Sequence, residues 1–510
     1  MRSSLGPAGR ALRRNWWLVA LALVVPAGAG GIALWERFDG LYGQDSFAYL
    51  SYATGPLRHS LAGLDLPPPF YWPPGYPLLV ALASYGVGRG PLAGQLVSMA
   101  AAASVPVSTA LLARELWPAP PRAWLRPPIV PLVAGLVVAF NGQLWQSSVV
   151  VMSDTLGVAL ATAGVAALAR YGRRGGLRWL LLAAGLLAAA TGTRWVYGIV
   201  ALPCAVYALS VIVRRPARVA LAHAGAALGL ALAFLSPVLA RPLLHGGGYR
   251  SFAGSFETHT WNPLWIFQRE FVAADGMLSY SLPTGLYFAV APAHWRFLTP
   301  VLAPLLLPGI WAVARRRAAA PVLLLVGWAA VVYLFHAGAG YQTFRFTLAY
   351  LPPLAILAGI GAEWVWGRLA GRRFAAVAAT AALGVGLALM ALGGTHTTRS
   401  LIALKNDGLE LVRWAEASVP PDGAVITFNL TSTFRHYSRL RTIELYEQTP
   451  ARLRLLLASR RPLVVLVDVP SLRGQWRRRA PGRNFRWLED EAGLTRIGTR
   501  RGFTLFRVGR

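Results

Sequence analysis

Runs of about twenty apolar residues, separated by short arginine-bearing breaks, recur through residues 1–394. Lipid offers a backbone amide no partner, so only helices or closed barrels cross a bilayer. A hydrocarbon core about 30 Å thick, at a rise of about 1.5 Å per residue, sets the length of a crossing helix near twenty residues. Such runs lie near 16–36, 91–114, 128–145, 148–169, 177–193, 195–213, 218–240, 297–314, 320–337, 346–368 and 374–394, which makes about eleven expected spans. The run 74–88 is too short to cross and reads as an interfacial or re-entrant segment. Composition agrees: 14% of residues are charged, against roughly a quarter in soluble domains, and mean hydropathy is +0.47.

The net charge of +30 comes almost wholly from arginine; Lys405 is the only lysine. The arginines sit at the ends of the apolar runs and not in one patch, which argues against a nucleic-acid partner. Arg10, Arg13 and Arg14, then Arg114, Arg122 and Arg126, then Arg170, Arg173, Arg174 and Arg178 fall on one side of the count. So do Arg214, Arg215 and Arg218, then Arg315, Arg316 and Arg317, and finally Arg372 and Arg373. The positive-inside rule makes that side cytoplasmic. The chain is then expected to be a multi-pass protein of a bacterial-type plasma membrane, with its N-terminus inside and residues after 394 outside. No A-x-A-like site follows the first run, so a retained first span is expected. The single cysteine, Cys204, allows no disulfide framework.

Residues 1–394 form the expected transmembrane domain, with long outer loops near 37–90 and 241–296. Residues 395–510 change character. Residues 400–510 hold ten acids, as many as the preceding 399. The β-rich runs AVITF, RTIEL, PLVVLVDV, LTRIG and FTLFRV alternate with helical stretches. One of these begins after Asp407 as an N-cap, and another has Thr449 and Pro450 at its start. The pattern predicts a small extracytoplasmic α/β domain. Asn429-Leu430-Thr431 fits a glycosylation sequon, a weak signal on its own.

The first ten acids are Glu36, Asp39, Asp45, Asp65, Glu115, Asp154, Glu257, Glu270, Asp275 and Glu363. In the expected topology only Glu115 and Glu363 face the cytoplasm, and none sits at mid-span. Ion-coupled transporters place carboxylates near the midplane, so this placement favours chemistry at the outer face. Arg194 and Arg345 lie at the outer ends of spans. A guanidinium holds phosphate oxygens in a bidentate fork, so the pair suits a lipid-linked phosphate, although either could snorkel to headgroups. Tyr49, Tyr71, Trp72 and Tyr76 suit the apolar faces of a sugar or an interfacial belt. His59, His259, His294 and His336 show no metal-ligand spacing.

QDSFAYLSYA, FYWPPGYPLLVAL, VVVMSDTLGVAL, LLAAATGTRWVYGIVALP and FRFTLAYLPPLAIL, in that order, resemble the GT-C superfamily of membrane glycosyltransferases. The likeness is closest to the family 39 relatives, the protein O-mannosyltransferases and aminoarabinose transferases, and covers about residues 16–370. It implies an inverting transfer of one sugar from a polyprenyl-phosphate donor to an acceptor hydroxyl of a protein, lipid or glycan. It places the catalytic carboxylate at Asp45, and a substrate contact at Asp154. Arg194 and Arg345 map onto the family's arginine segments, with Tyr49, Tyr71, Trp72, Tyr76, His294 and Gln342 as further substrate contacts. Many members carry a second acid where this chain has Ser46, so no metal site is assigned and a divalent-metal requirement is left open. The competing readings are an oligosaccharide polymerase or ligase using a pyrophosphate-linked donor, and a non-catalytic lipid or sugar transporter.

Overall fold

The computed structural model describes residues 7–118, 128–244, 261–273, 275–369, 371–459 and 461–509. Arg122, Arg126, Glu257, His259 and the glycine-rich part of the second long loop lie outside the described residues. The chain divides into two compact units. One comprises residues 1–40, 49–267 and 284–399; the other comprises 41–48, 268–283 and 400–510.

The larger unit is a multi-pass helical membrane domain. Among the described residues, seven helices are long and apolar enough to cross a bilayer: Asn15–Trp35, Leu92–Leu116, Asp154–Arg174, Ala217–Ser236, Ala319–Ala337, Phe344–Leu369 and Arg373–Ser418. The pair Ile129–Ala139 and Gly142–Val149, bent by 52°, makes an eighth span if taken as one. The count is below the eleven expected from hydropathy, for local reasons. Helices Leu177–Thr191 and Val196–Ile212 have 15 and 17 residues. They reach about 22 and 26 Å, short of the hydrocarbon thickness. The run 297–314 carries Pro300, Pro304 and Pro308 and is divided into Thr299–Leu302, Ala303–Leu305 and Leu306–Arg316. Each proline lacks an N–H and crowds the preceding turn.

The bend at Asn141 is built from side-chain bonds. Asn141 accepts from the Leu144 amide at 2.9 Å and donates to the Phe297 carbonyl at 3.3 Å. Trp145 Nε1 donates to the Ala139 carbonyl at 2.7 Å, satisfying one of the carbonyls a helix end leaves open. Where Leu306–Arg316 meets Leu351–Leu369, a Cβ at Gly309 would overlap the Leu357 carbonyl and one at Gly361 the Leu305 carbonyl. The two helices therefore approach through backbone. Several of the arginines grouped by topology also meet protein partners. Arg114 donates to Asn15 Oδ1 at 3.2 Å, Arg173 to Glu115 at 3.0 Å, and the Arg316 guanidinium lies 3.4 Å from the centre of the Trp117 ring.

The smaller unit contains a hairpin, β1 (Glu270–Ala273) and β2 (Gly276–Ser279), and a five-stranded sheet. Its strands are β3 (Ala424–Thr427), β4 (Arg441–Glu444), β5 (Leu463–Val467), β6 (Leu494–Arg500) and β7 (Phe503–Val508). They coincide with the five β-rich runs of the sequence. The order is β4-β3-β5-β7-β6, with β4, β3 and β5 parallel and β7 and β6 antiparallel. Val425, Val464 and Leu466 pack with Leu411, Val412, Ala415 and Phe434 on one face. Ile426, Val465 and Val467 pack with Leu453, Phe485 and Leu488 on the other. Both faces are covered, which is why β5 reads as an unbroken apolar run and not an alternating one. Helix Pro450–Ala458 starts as expected, with Thr449 Oγ1 accepting from the Arg452 amide at 3.4 Å. The expected cap at Asp407 is corrected: Arg373–Ser418 is one unbroken helix of 46 residues, with Asp407 in its interior. No proline interrupts that stretch, and its leucines and alanines carry the helix through the polar position.

Candidate functional site

The Val-Val-Val-Met-Ser-Asp stretch turns directly into helix Asp154–Arg174, with Asp154 as its first residue. A carboxylate there gains from the unsatisfied amides and the helix dipole. Its side chain is only 3% exposed, so burial must be compensated by partners. Arg194 Nη1 donates to Asp154 Oδ1 at 2.5 Å, and Arg345 Nε lies 3.7 Å from the same oxygen. Asp154 Oδ2 is buried and has no hydrogen-bond partner among the described residues. The cluster thus carries two guanidiniums, one carboxylate and an unused acceptor.

Each arginine is delivered by a break in helical structure. Arg194 follows Gly192 and Thr193 in the turn between Leu177–Thr191 and Val196–Ile212. The Gly75 amide donates to the Gly192 carbonyl at 2.8 Å. A Cβ on Gly75 would sit 2.7 Å from that carbonyl and 2.6 Å from Thr193 Oγ1. The proline-rich approach to helix Gly75–Val87 therefore braces the Arg194 turn through a contact only glycine permits. Arg345 opens the tight turn Phe344–Tyr350, and its Nη1 lies 3.0 Å from the Met152 sulfur.

Phe346 lies beside both guanidiniums, 5.5 Å from Arg194 and 5.8 Å from Arg345. The His336 ring stacks on Phe346 at 4.6 Å, and among the described residues neither ring nitrogen has a hydrogen-bond partner. Of the two rings, the sequence singles out only His336, as one of several isolated histidines. The flanking aromatics of FRF, which frame Arg345, are the signal that points to Phe346.

The expected aromatic group is assembled in part around Ser153. The Tyr49 hydroxyl meets Ser153 Oγ at 3.0 Å, and its ring stacks on Trp72 at 5.0 Å and meets Tyr76 edge-on at 5.3 Å. Tyr76 is fully buried and bonds to Ser98 Oγ at 2.9 Å. Tyr71 packs edge-on against Trp72 but is nearly half exposed. Gln342 donates to Thr284 Oγ1 at 3.4 Å. The His294 ring packs at a tilt against Phe344, with centroids 4.4 Å apart. Burial, with Arg296 nearby, holds its imidazole below the ordinary histidine value. His59 is exposed.

Asp45 lies half-buried in the first turn of helix Gly43–Tyr52. Ser46 is fully buried beside it: its Oγ accepts from the Tyr42 amide at 2.8 Å and faces the Tyr42 and Gly43 carbonyls at 2.8 and 3.0 Å. An ionised acid at position 46 could not donate to either carbonyl. Serine here fixes the start of the helix that carries Asp45. Among the described residues no group of three or more His, Cys, Asp or Glu could hold a metal ion. The Asp154 cluster, one carboxylate already facing two cations, does not fit one.

The chain's fold is similar to those of two proteins of known structure. ArnT from Cupriavidus metallidurans, in its structure bound to undecaprenyl phosphate, aligns with a TM-score of 0.63 over 97% of this chain and 98% of that one, at 14% identity. The apo state of the same protein gives 0.62 at 15% identity, over 98% of each chain. The oligosaccharyltransferase of Archaeoglobus fulgidus, in complex with Zn and sulfate, gives 0.53 at 12% identity over 96% of this chain and 72% of that one. No family model and no curated protein matches the sequence.

Proposed function

We propose that this chain is an integral membrane glycosyltransferase. It moves a single sugar from a polyprenyl-phosphate-linked donor to an acceptor hydroxyl at the outer face of a bacterial-type plasma membrane, with inversion. The observation that carries the reading is the convergence of Arg194 and Arg345 on Asp154, in a fold shared with a protein solved with undecaprenyl phosphate bound. Asp45 takes the proton from the acceptor hydroxyl as the acceptor oxygen bonds to C1. The C1–O bond to phosphate breaks, and its electron pair leaves on the polyprenyl phosphate. A positioned base supplies roughly 10²–10⁴-fold to such a step.

Arg194 and Arg345 stabilise the charge that grows on the departing phosphate, in a site where water is scarce and fixed cations act strongly. Asp154 holds both guanidiniums in place. Tyr71 and Trp72 offer ring faces to the sugar, backed by the buried Tyr49 and Tyr76. One base and no nucleophilic second carboxylate implies inversion at C1. The test is mass analysis of the lipid product after reaction with a polyprenyl-phosphate sugar in proteoliposomes. Polyprenyl monophosphate together with a new glycosidic bond is expected. Turnover that requires a diphosphate donor and releases polyprenyl diphosphate would support the ligase reading instead. Lipid flux without a new bond would sink the enzyme.

A further inference from the structure

A cavity of about 280 Å³ lies wholly within the smaller unit. At liquid density that is room for about nine waters, the scale of one or two sugar rings. Its place in the sheet is informative. From β3 the chain goes to β4 on one side and then returns to β5 on the other. The carboxyl end of β3 is therefore at a topological switch point, where open α/β sheets place their ligands. The loop after β3 supplies Asn429 and Leu430 to the cavity wall, and the helix that follows, Thr431–Tyr437, supplies Ser432. Asn429 adopts φ of +67°, a left-handed conformation uncommon outside glycine and best tolerated by Asn.

The wall is built from two kinds of group. Tyr42, Phe47, Tyr437 and Phe503 present rings. Lys405, Asp407, Asn429 and Arg501 present donors and acceptors. Lys405, the only lysine in the chain, is buried to 8% exposure, and its ammonium donates to the Tyr437 hydroxyl at 2.8 Å. Arg501 pairs with Asp407 at 3.2 Å and with Glu410 at 3.1 Å, so the wall's charges are largely balanced. Rings for C–H faces, fixed amide, ammonium and carboxylate groups for hydroxyls, and little net charge together match a neutral saccharide. Gly43, Gln44 and Phe47, on either side of Asp45 in sequence, also line it.

We infer that this cavity binds a neutral sugar unit of the acceptor, making the acceptor a glycan. The acceptor role rests on the glycosyltransferase reading, but binding itself does not. The full-length protein in nanodiscs is tested against an array of short neutral oligosaccharides immobilised through their reducing ends. Ser432→Phe fills the cavity and Lys405→Met removes the ammonium while keeping its stem. Thermal unfolding confirms which variant is folded, and either folded variant suffices. Binding by the parent protein that weakens about tenfold or more in a folded variant is the expected result. No binding by the parent, or binding unchanged in the variants, overturns the inference. Ser432-dependent binding without sugar transfer would leave the cavity standing and sink the transferase. Transfer to a glycan whose acceptor KM ignores Ser432→Phe would do the reverse.

Discussion

Asp45 and Asp154 both sit in the first turn of a helix, yet their surroundings differ in kind. Asp154 is 3% exposed and faces two arginines. Asp45 is half-buried, in a turn fixed by Ser46. A carboxylate oxygen that already faces two guanidiniums is committed to positioning them. It serves best as a fixed anion that orients its partners. Asp45 is the carboxylate proposed to take the acceptor's proton. The two acids therefore suit different jobs, and variants at each should fail in different ways.

The largest separation is expected at Asp45. Asp45→Asn should lower the rate of sugar transfer by about 10²–10⁴-fold, measured in proteoliposomes, with the thermal midpoint unchanged. Arg345→Gln removes a cation placed for the leaving phosphate. It should lower kcat by about 10²-fold or more, on the scale of losing one preorganised donor. Asp154→Asn should destabilise as well as inactivate. It leaves two guanidiniums facing each other, which costs about 3 kcal/mol, at the low end for a broken buried pair because both arginines are partly exposed. Thermal unfolding in detergent reads that cost. Gly75→Val should depress activity with a smaller loss of stability, since the new side chain would press on Gly192 and Thr193 and displace the Arg194 turn. The smallest effect is expected from Tyr49→Phe, which removes one hydrogen bond to Ser153 worth about 1 kcal/mol. If Asp154→Asn kept full stability, the distinction between anchor and base would lose its footing.

The same contrast explains what could be read from the sequence. The strands of the smaller unit were legible because two-sided burial writes continuous β-branched runs such as that of β5. Most membrane helices were legible because their length is set by the bilayer. The overcount arose where hydropathy ignores local breaks: three prolines divide 297–314, and Leu177–Thr191 is apolar but short. The interior position of Asp407 was missed because a cap residue in sequence becomes a cap only where the chain changes direction. At the site, the acid and the two arginines stood out as rare charges in an apolar chain. Their convergence on a single oxygen did not, because residues 154, 194 and 345 are joined only by tertiary packing. Met152, an apolar neighbour of those charges, carried no compositional signal, and Phe346 was marked only by its place in FRF.

The most direct test compares Asp45→Asn and Asp154→Asn in one experiment, recording single-turnover sugar transfer from a polyprenyl-phosphate donor and the thermal midpoint of the same preparations. The account predicts that Asp45→Asn loses transfer at an unchanged midpoint, while Asp154→Asn loses transfer together with a lowered midpoint. Transfer at the parent rate by folded Asp45→Asn would contradict it.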